Sequence, residues 1–293
     1  MATKSTITNI RRASVAGAAM FAVFGAVACA PQETTPTPTT GDACAKENLQ
    51  TQTAGQLTIA TDDPSFPPWV VDNEPENKEG FESAVAYAVA AELGFTDAEV
   101  TWVRVPFNAA IQPGPKDFDF DINQFSITDE RREAVDFSSP YYDVRQAVVT
   151  VAGSPIEGAT SLADLADARL GVQVGTTSYQ TVIDVIEPTV EPSVLNTNED
   201  VVAQLSNGTI DGAVFDLPTA FFVTAVELEN GMIVGQLPLL EGSAPEQFGL
   251  LLDKDSPLTS CVSDAVDALR ADGTLASLET EWLADVAGAP ELT

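Results

Sequence analysis

Apolar residues recur along this chain in two rhythms. Strand-like runs are Gln56–Thr61, where Leu57 and Ile59 share a face, and Asp119–Phe125, where Phe120 and Ile122 alternate. Ala147–Val151, Arg169–Val174, Gly212–Phe215 and Phe248–Leu252 read the same way. Between them lie stretches with a helical period. Glu82–Leu93 carries Val85, Val89 and Leu93 on one stripe and stops at Gly94. The strand at 169–174 runs into Gly175-Thr176-Thr177-Ser178 and then a helix to about Ile186. Asn198 is expected to cap a helix bearing Val201, Val202 and Leu205, closed by Asn207-Gly208. Leu258–Leu269 and Leu275–Val286 read as amphipathic helices joined at Asp272-Gly273. Strands alternating with helices predict an α/β fold with mainly parallel sheets. Ligands on such sheets sit at the carboxyl ends of strands. Asp62, Ser126, Thr176 and Asp216 all lie just after predicted strands, which makes them pocket candidates by position alone.

The start of the chain follows a different rule. Lys4, Arg11 and Arg12 precede an apolar run from Val15 to Val27 that is too short to cross a bilayer, which predicts a signal peptide over residues 1–28. The run ends in Ala26-Val27-Ala28-Cys29, which resembles the bacterial lipoprotein processing box and implies lipid on Cys29. Ordinary secretion with cleavage nearby is the alternative. The Thr- and Pro-rich stretch after it has too little apolar content to fold, so residues 29–54 are expected to be a flexible tether.

Composition narrows the chemistry. The 293 residues are 44% hydrophobic, enough for one large or two modest domains. Thirteen basic against 44 acidic residues give a formal charge of −31, which argues against a nucleic-acid partner. That charge also steers cations, although solubility explains it equally well. The chain has no histidine, which removes Ser-His-Asp and Cys-His catalysis and nearly all transition-metal sites, so neither a metal nor a cofactor is expected. Beyond Cys29 the remaining cysteines are Cys44 and Cys261. Outside the cell such a pair implies one structural disulfide, the alternative being two free thiols.

Four segments together resemble the polar amino-acid family (family 3) of solute-binding proteins of ABC transporters. They are Ala60-Thr61-Asp62 leading to Phe66-Pro67-Pro68-Trp69; Phe125-Ser126-Ile127-Thr128-Asp129-Glu130-Arg131-Arg132 with Val135-Asp136-Phe137-Ser138; Gly171-Val172-Gln173-Val174-Gly175-Thr176-Thr177; and Asn207 through Asp216. The resemblance runs from about Gln56 to Leu283. It implies a two-lobed, periplasmic-binding-protein-like α/β fold of type II, with lobe one at 55–145 and 249–293, lobe two at 146–248, and hinge strands near Asp143–Thr150 and Glu246–Leu252. It implies a monomer on the outer face of the cell membrane that delivers a polar amino acid to an ABC permease.

The resemblance also assigns roles. Arg131 would hold the ligand carboxylate, since guanidinium offers a planar, two-pronged donor set. Asp216 would take the ammonium group, with the backbone carbonyl of Gln124 as a second acceptor. Ser126, Thr176 and Thr177 belong to the same loops, the threonines reaching the carboxylate from the other lobe. Phe66, Trp69 and Phe107 would enclose the side chain, with core packing as the plain alternative for Trp69. Asp62 and Gln173 would meet the side chain's polar end, and with the acidic field they tilt the expectation towards a cationic amino acid. In the family, Asn123-Gln124 is often a small residue and Gly, so the Gln124 side chain could fill the pocket. Two other functions stay open on this scaffold: a dehydratase of cyclic acids, and a ligand sensor that touches a membrane receptor.

Overall fold

In the computed structural model, residues 43–240, 242–283 and 289–293 are described. The expected signal peptide and the Cys29 lipidation site lie outside them. In chain order the strands are β1 (Leu57–Thr61), β2 (Val100–Arg104), β3 (Phe120–Asp121), β4 (Val135–Val144) and β5 (Gln146–Val151). They continue with β6 (Leu170–Gln173), β7 (Ser193–Leu195), β8 (Gly212–Asp216), β9 (Gly231–Gln236) and β10 (Glu246–Asp253). They form two five-stranded sheets, ordered β2-β1-β3-β10-β4 and β7-β6-β8-β5-β9.

Each sheet is the floor of one lobe. In the first, Leu57, Ile59, Phe120 and Ile122 meet Val85 and Val89 of helix Phe81–Glu92 and Val262 and Val266 of helix Thr259–Ala271. Its other face buries Phe107, Phe118, Phe125, Phe137 and Leu251. The second sheet packs Ala213 and Phe215 against Val201 and Leu205 on one side, and Leu170 and Val172 against Val182 and Ile186 on the other.

Mainly parallel sheets were the expectation; both sheets are mixed. β1 pairs in parallel with β2 and β3, but β10 is antiparallel to β3 and β4. β6 pairs in parallel with β7 and β8, but β5 is antiparallel to β8 and β9. The crossing strands set this pattern. β4 carries the chain out of the first sheet, with only Arg145 between it and β5, and β10 brings it back. Two strands that traverse one hinge in opposite senses pair antiparallel, whatever the helical crossovers on either side dictate.

Four other expectations need correction. The strand predicted over 119–125 shrinks to Phe120–Asp121, because the chain leaves the sheet to form the cleft floor. The cap of helix Asn198–Ser206 is Thr197, whose hydroxyl accepts from Asp200 N. Residues 44–54 are packed and do not belong to the tether: Cys44 is bonded to Cys261, and Gln52 N donates to Asp119 Oδ1 at 2.7 Å. Residues 289–293 join the second lobe, not the first: Glu291 bridges to Gln236, Arg145 Nη2 meets Glu291 at 2.5 Å, and Leu292 is 2% exposed in that lobe's core. The helix expected to reach Val286 is described only to Leu283.

The disulfide ties the entry of the chain to helix Thr259–Ala271 across a sequence separation of 217. A loop of that length contributes at most about 5 kcal/mol on a chain-entropy estimate. Replacing both Cys44 and Cys261 by alanine is expected to lower the thermal midpoint of the purified chain by several degrees in calorimetry. An unchanged midpoint would show that packing alone holds this corner.

Candidate functional site

The carboxyl ends of β1, β6 and β8 and the turn after β3 converge where the lobes face each other. The cavity there encloses about 140 Å³, room for a small molecule, and no helix among the described residues is long and apolar enough to cross a membrane. Its lining includes Asp62, Phe66, Trp69, Phe107, Gln124, Ser126 and Arg131 from the first lobe, and Gln173, Thr176, Thr177 and Asp216 from the second. Every candidate that the sequence singles out for ligand contact therefore faces the same space.

Arg131 stands at the lobe junction. Its short helix, Asp129–Arg132, is capped by the Thr128 hydroxyl, which accepts from Arg131 N. The guanidinium donates through Nη1 to Ser126 O (2.7 Å) and through Nη2 to Gly175 O of the other lobe (2.8 Å). It lies 5.5 Å over the Phe107 ring, which is stacked on Phe125. Burial lowers its basicity, while Glu246 and Asp216 oppose that shift. A guanidinium carries five N–H donors, so two carbonyls leave donors over for an anion.

The acidic groups face it. Asp216 ends β8, and no hydrogen bond among the described residues engages its carboxylate. Burial first, and Glu246 second, push its pKa well above the usual carboxylate range, while Arg131 pulls the other way. An acceptor of that kind fits an ammonium group. Asp62 accepts from Asp63 N at 2.8 Å and from Phe107 N at 3.2 Å, so it serves as a turn residue and still keeps lone pairs for the cleft.

Gln124 stands in left-handed backbone, with φ +49°, a region that favours glycine. A residue invisible as a site candidate in the sequence holds it there. The carboxylate of Glu82, fully buried, accepts from Gln124 N at 2.7 Å, from Gln124 Nε2 and from the Tyr141 hydroxyl. The Gln124 side chain is thereby tied to Glu82, so the expectation that it could fill the pocket does not hold.

The hydroxyls of Thr176 and Thr177 are already in use. Thr176 Oγ1 donates to Gln173 O at 2.8 Å; Thr177 Oγ1 donates to Glu246 Oε1 and accepts from Gln146 Nε2 at 2.9 Å. Gln146 Nε2 also reaches Glu246 Oε2 at 3.0 Å, which knits β5, β10 and the second-lobe loop at the hinge. Contact with a ligand from these threonines falls to their backbone N–H groups. Trp69 lines the cavity but is only 2% exposed, packed on Phe81, Tyr142 and Phe248; its Nε1 donates across the cleft to Thr219 Oγ1 at 2.9 Å. Phe66 meets Phe222 of the other lobe at 6.0 Å.

Glu82 makes stability depend on pH. Burial raises its pKa from 4.5 to about 7, against the pull of Tyr141 and Gln124. Between those values the native protein keeps a proton that the unfolded chain has released, so stability falls as pH rises through that window. Denaturant midpoints at pH 5 and pH 8 are expected to show wild type losing about 2 to 3 kcal/mol more than Glu82→Gln. Equal losses would place the ionisation elsewhere.

The sequence from residue 57 to residue 285 matches the family model for bacterial extracellular solute-binding proteins, family 3. The ABC transporter arginine-binding protein 1 of Escherichia coli (strain K12) is 26% identical over 225 residues, covering 74% of this chain and 87% of the relative. A probable histidine-binding protein of Campylobacter jejuni subsp. jejuni is 27% identical over 199 residues, covering 66% of this chain and 72% of the relative. Among solved structures, an ancestral arginine-binding protein bound to arginine matches with a TM-score of 0.63 at 30% identity, over 78% of this chain and 98% of that one. Since the match spans nearly all of both lobes and the cleft between them, the chain belongs to the bacterial extracellular solute-binding proteins of family 3.

Proposed function

We propose that this protein captures a free amino acid, cationic by preference, between its two lobes and hands it to an ABC permease, while lipid on Cys29 keeps it at the outer face of the membrane. The observation that carries the reading is the set of charged groups that meet in the cleft. The Arg131 guanidinium, the Asp216 carboxyl group within its field and Asp62 all line one cavity. A zwitterion with a further positive charge matches that set. The relatives named for arginine and histidine binding support the same class. On this reading the protein binds without chemistry, acts as a monomer and needs no cofactor.

A thermal-shift screen of the purified chain against the twenty amino acids, ornithine and citrulline tests the proposal. At a hundred-fold excess over Kd, ligand adds about 2.7 kcal/mol to the native state, a rise of roughly 5 to 10 °C for a protein of this size. The shift is expected with arginine, lysine or ornithine, and Arg131→Ala is expected to abolish it. If no amino acid moves the midpoint of the folded protein, the reading is wrong.

A further inference from the structure

The cleft also carries a second group of acids, and they come from both lobes. Asp62 and Asp63 come from the loop after β1, and Thr197, Asn198 and Glu199 from the start of helix Asn198–Ser206. None of these acids takes part in an ion pair among the described residues; those pairs use Glu99, Asp97, Glu291, Asp211 and Asp136. Arg104 lies close by, but its guanidinium is spent on neutral groups: Asp62 O at 2.6 Å, Asn73 O at 2.5 Å, Asn73 Oδ1 at 3.0 Å and Ser65 Oγ at 3.1 Å. The cavity wall thus carries acids that close no ion pair among the described residues, while the neighbouring guanidinium is engaged with neutral acceptors. Asn123, 7% exposed, lines this cavity too, with its side chain beside the Asp62 carboxyl group, whose charged form it favours.

Glu199 is placed by its helix. The Thr197 hydroxyl accepts from Asp200 N at 3.2 Å, and Val201, Val202 and Leu205 anchor the helix in the second lobe's core. The backbone is therefore fixed while the exposed Glu199 side chain can still turn towards the cleft.

We infer that Glu199 is a specificity-determining residue, which joins Asp62 in a two-lobed acidic jaw around the cationic end of the ligand's side chain. The inference rests on the amino-acid reading above. Asp62 belongs to one lobe and Glu199 to the other, so like charges oppose each other at the mouth until a cation lies between them. The same field is felt by two neighbours: burial and then Glu199 raise the pKa of Glu227, and at Asp62, where burial raises the pKa against hydrogen bonds from Asp63, Phe107 and Asn123, Glu199 adds a smaller push in the same direction. A neutral side chain of the same length leaves both carboxylates uncompensated. Choice between the two is therefore made in the closed form, where both lobes reach the side chain.

Calorimetric titration with arginine and with citrulline, its neutral counterpart, tests this on the full chain. Wild type is expected to prefer arginine by ten-fold or more. Glu199→Gln is expected to weaken arginine roughly ten-fold, the size of a lost charge-assisted contact, and to leave citrulline within about two-fold. Its thermal midpoint should match wild type, because Glu199 is exposed and the Thr197 cap remains. Equal losses for both ligands, or no loss for either, overturn the role of Glu199. Wild type that binds citrulline or glutamine as tightly as arginine overturns the acidic jaw and leaves amino-acid capture standing. Wild type that binds no amino acid overturns both.

Discussion

A guanidinium cannot shed its proton at any pH a folded protein survives, so a partly buried arginine must be met by fixed acceptors. Arg131 is that group, and much of the cleft is arranged around it. The Ser126 carbonyl receives it from one lobe and the Gly175 carbonyl from the other. The Phe107 ring supports it from below, held in turn by its stack on Phe125 at 4.9 Å. Ser126 is itself fixed by a bridge to Phe248 of the returning hinge strand. Glycine is favoured at 175 by its backbone: its φ is +77°, and a Cβ there would sit 2.4 Å from Asn108 Oδ1 of the opposite lobe and push that side chain aside. The approach of the lobes and the seating of the arginine are one constraint.

That seating explains why the opposite charge is left loose. Asp216 lies within the field of Arg131 but does not close an ion pair on it, so the empty cleft leaves its carboxyl group open to a ligand. A site fully paired in its empty state would have to break those pairs before it could bind a zwitterion. Leaving the carboxylates partly desolvated costs stability in the empty protein, and strain of this kind concentrates at functional sites. Gln124 follows the same logic at the backbone level. It occupies a conformation that suits glycine, and the buried Glu82 carboxylate holds it there through two hydrogen bonds.

What the sequence discloses here follows physical lines. β1, β6 and β8 are legible because buried strands are short apolar runs, and Asp62 and Asp216 stand out as polar residues at the ends of such runs. Arg131 was legible through a motif, not through periodicity. Glu82 was not: in the first turn of a helix an acid looks like ordinary dipole stabilisation, and only the tertiary fold buries it against Tyr141. Glu199 is hidden for the same reason, in the first turn of its own helix. β7 and β9 went unread because their residues are mostly half-exposed and lack a clean alternation. The mixed sheets were out of reach because strand direction depends on how often the chain crosses the hinge, which no local pattern records. The tail at 289–293 joins the second lobe through backbone hydrogen bonds along Gln236, the Glu291 ion pair with Arg145 and the buried Leu292, and five residues are too short a signal to assign beforehand.

The contacts that span the cleft are few. Arg131 to Gly175, Trp69 to Thr219 and the Phe66–Phe222 edge are each worth about 1 kcal/mol net. Their sum is only a few kcal/mol. Open and closed forms that differ by so little can be reversed by a ligand, but only by one whose affinity differs between them. A molecule that touched the first lobe alone would bind both forms equally and shift nothing. The groups that can distinguish the forms are those contributed from opposite sides: Arg131 and Asp62 from the first lobe, Asp216 and the backbone of Thr177 from the second. Capture by closure therefore selects ligands whose charges are spread across the whole cleft, and the separation of the cleft's own charges between two lobes is what makes closure selective.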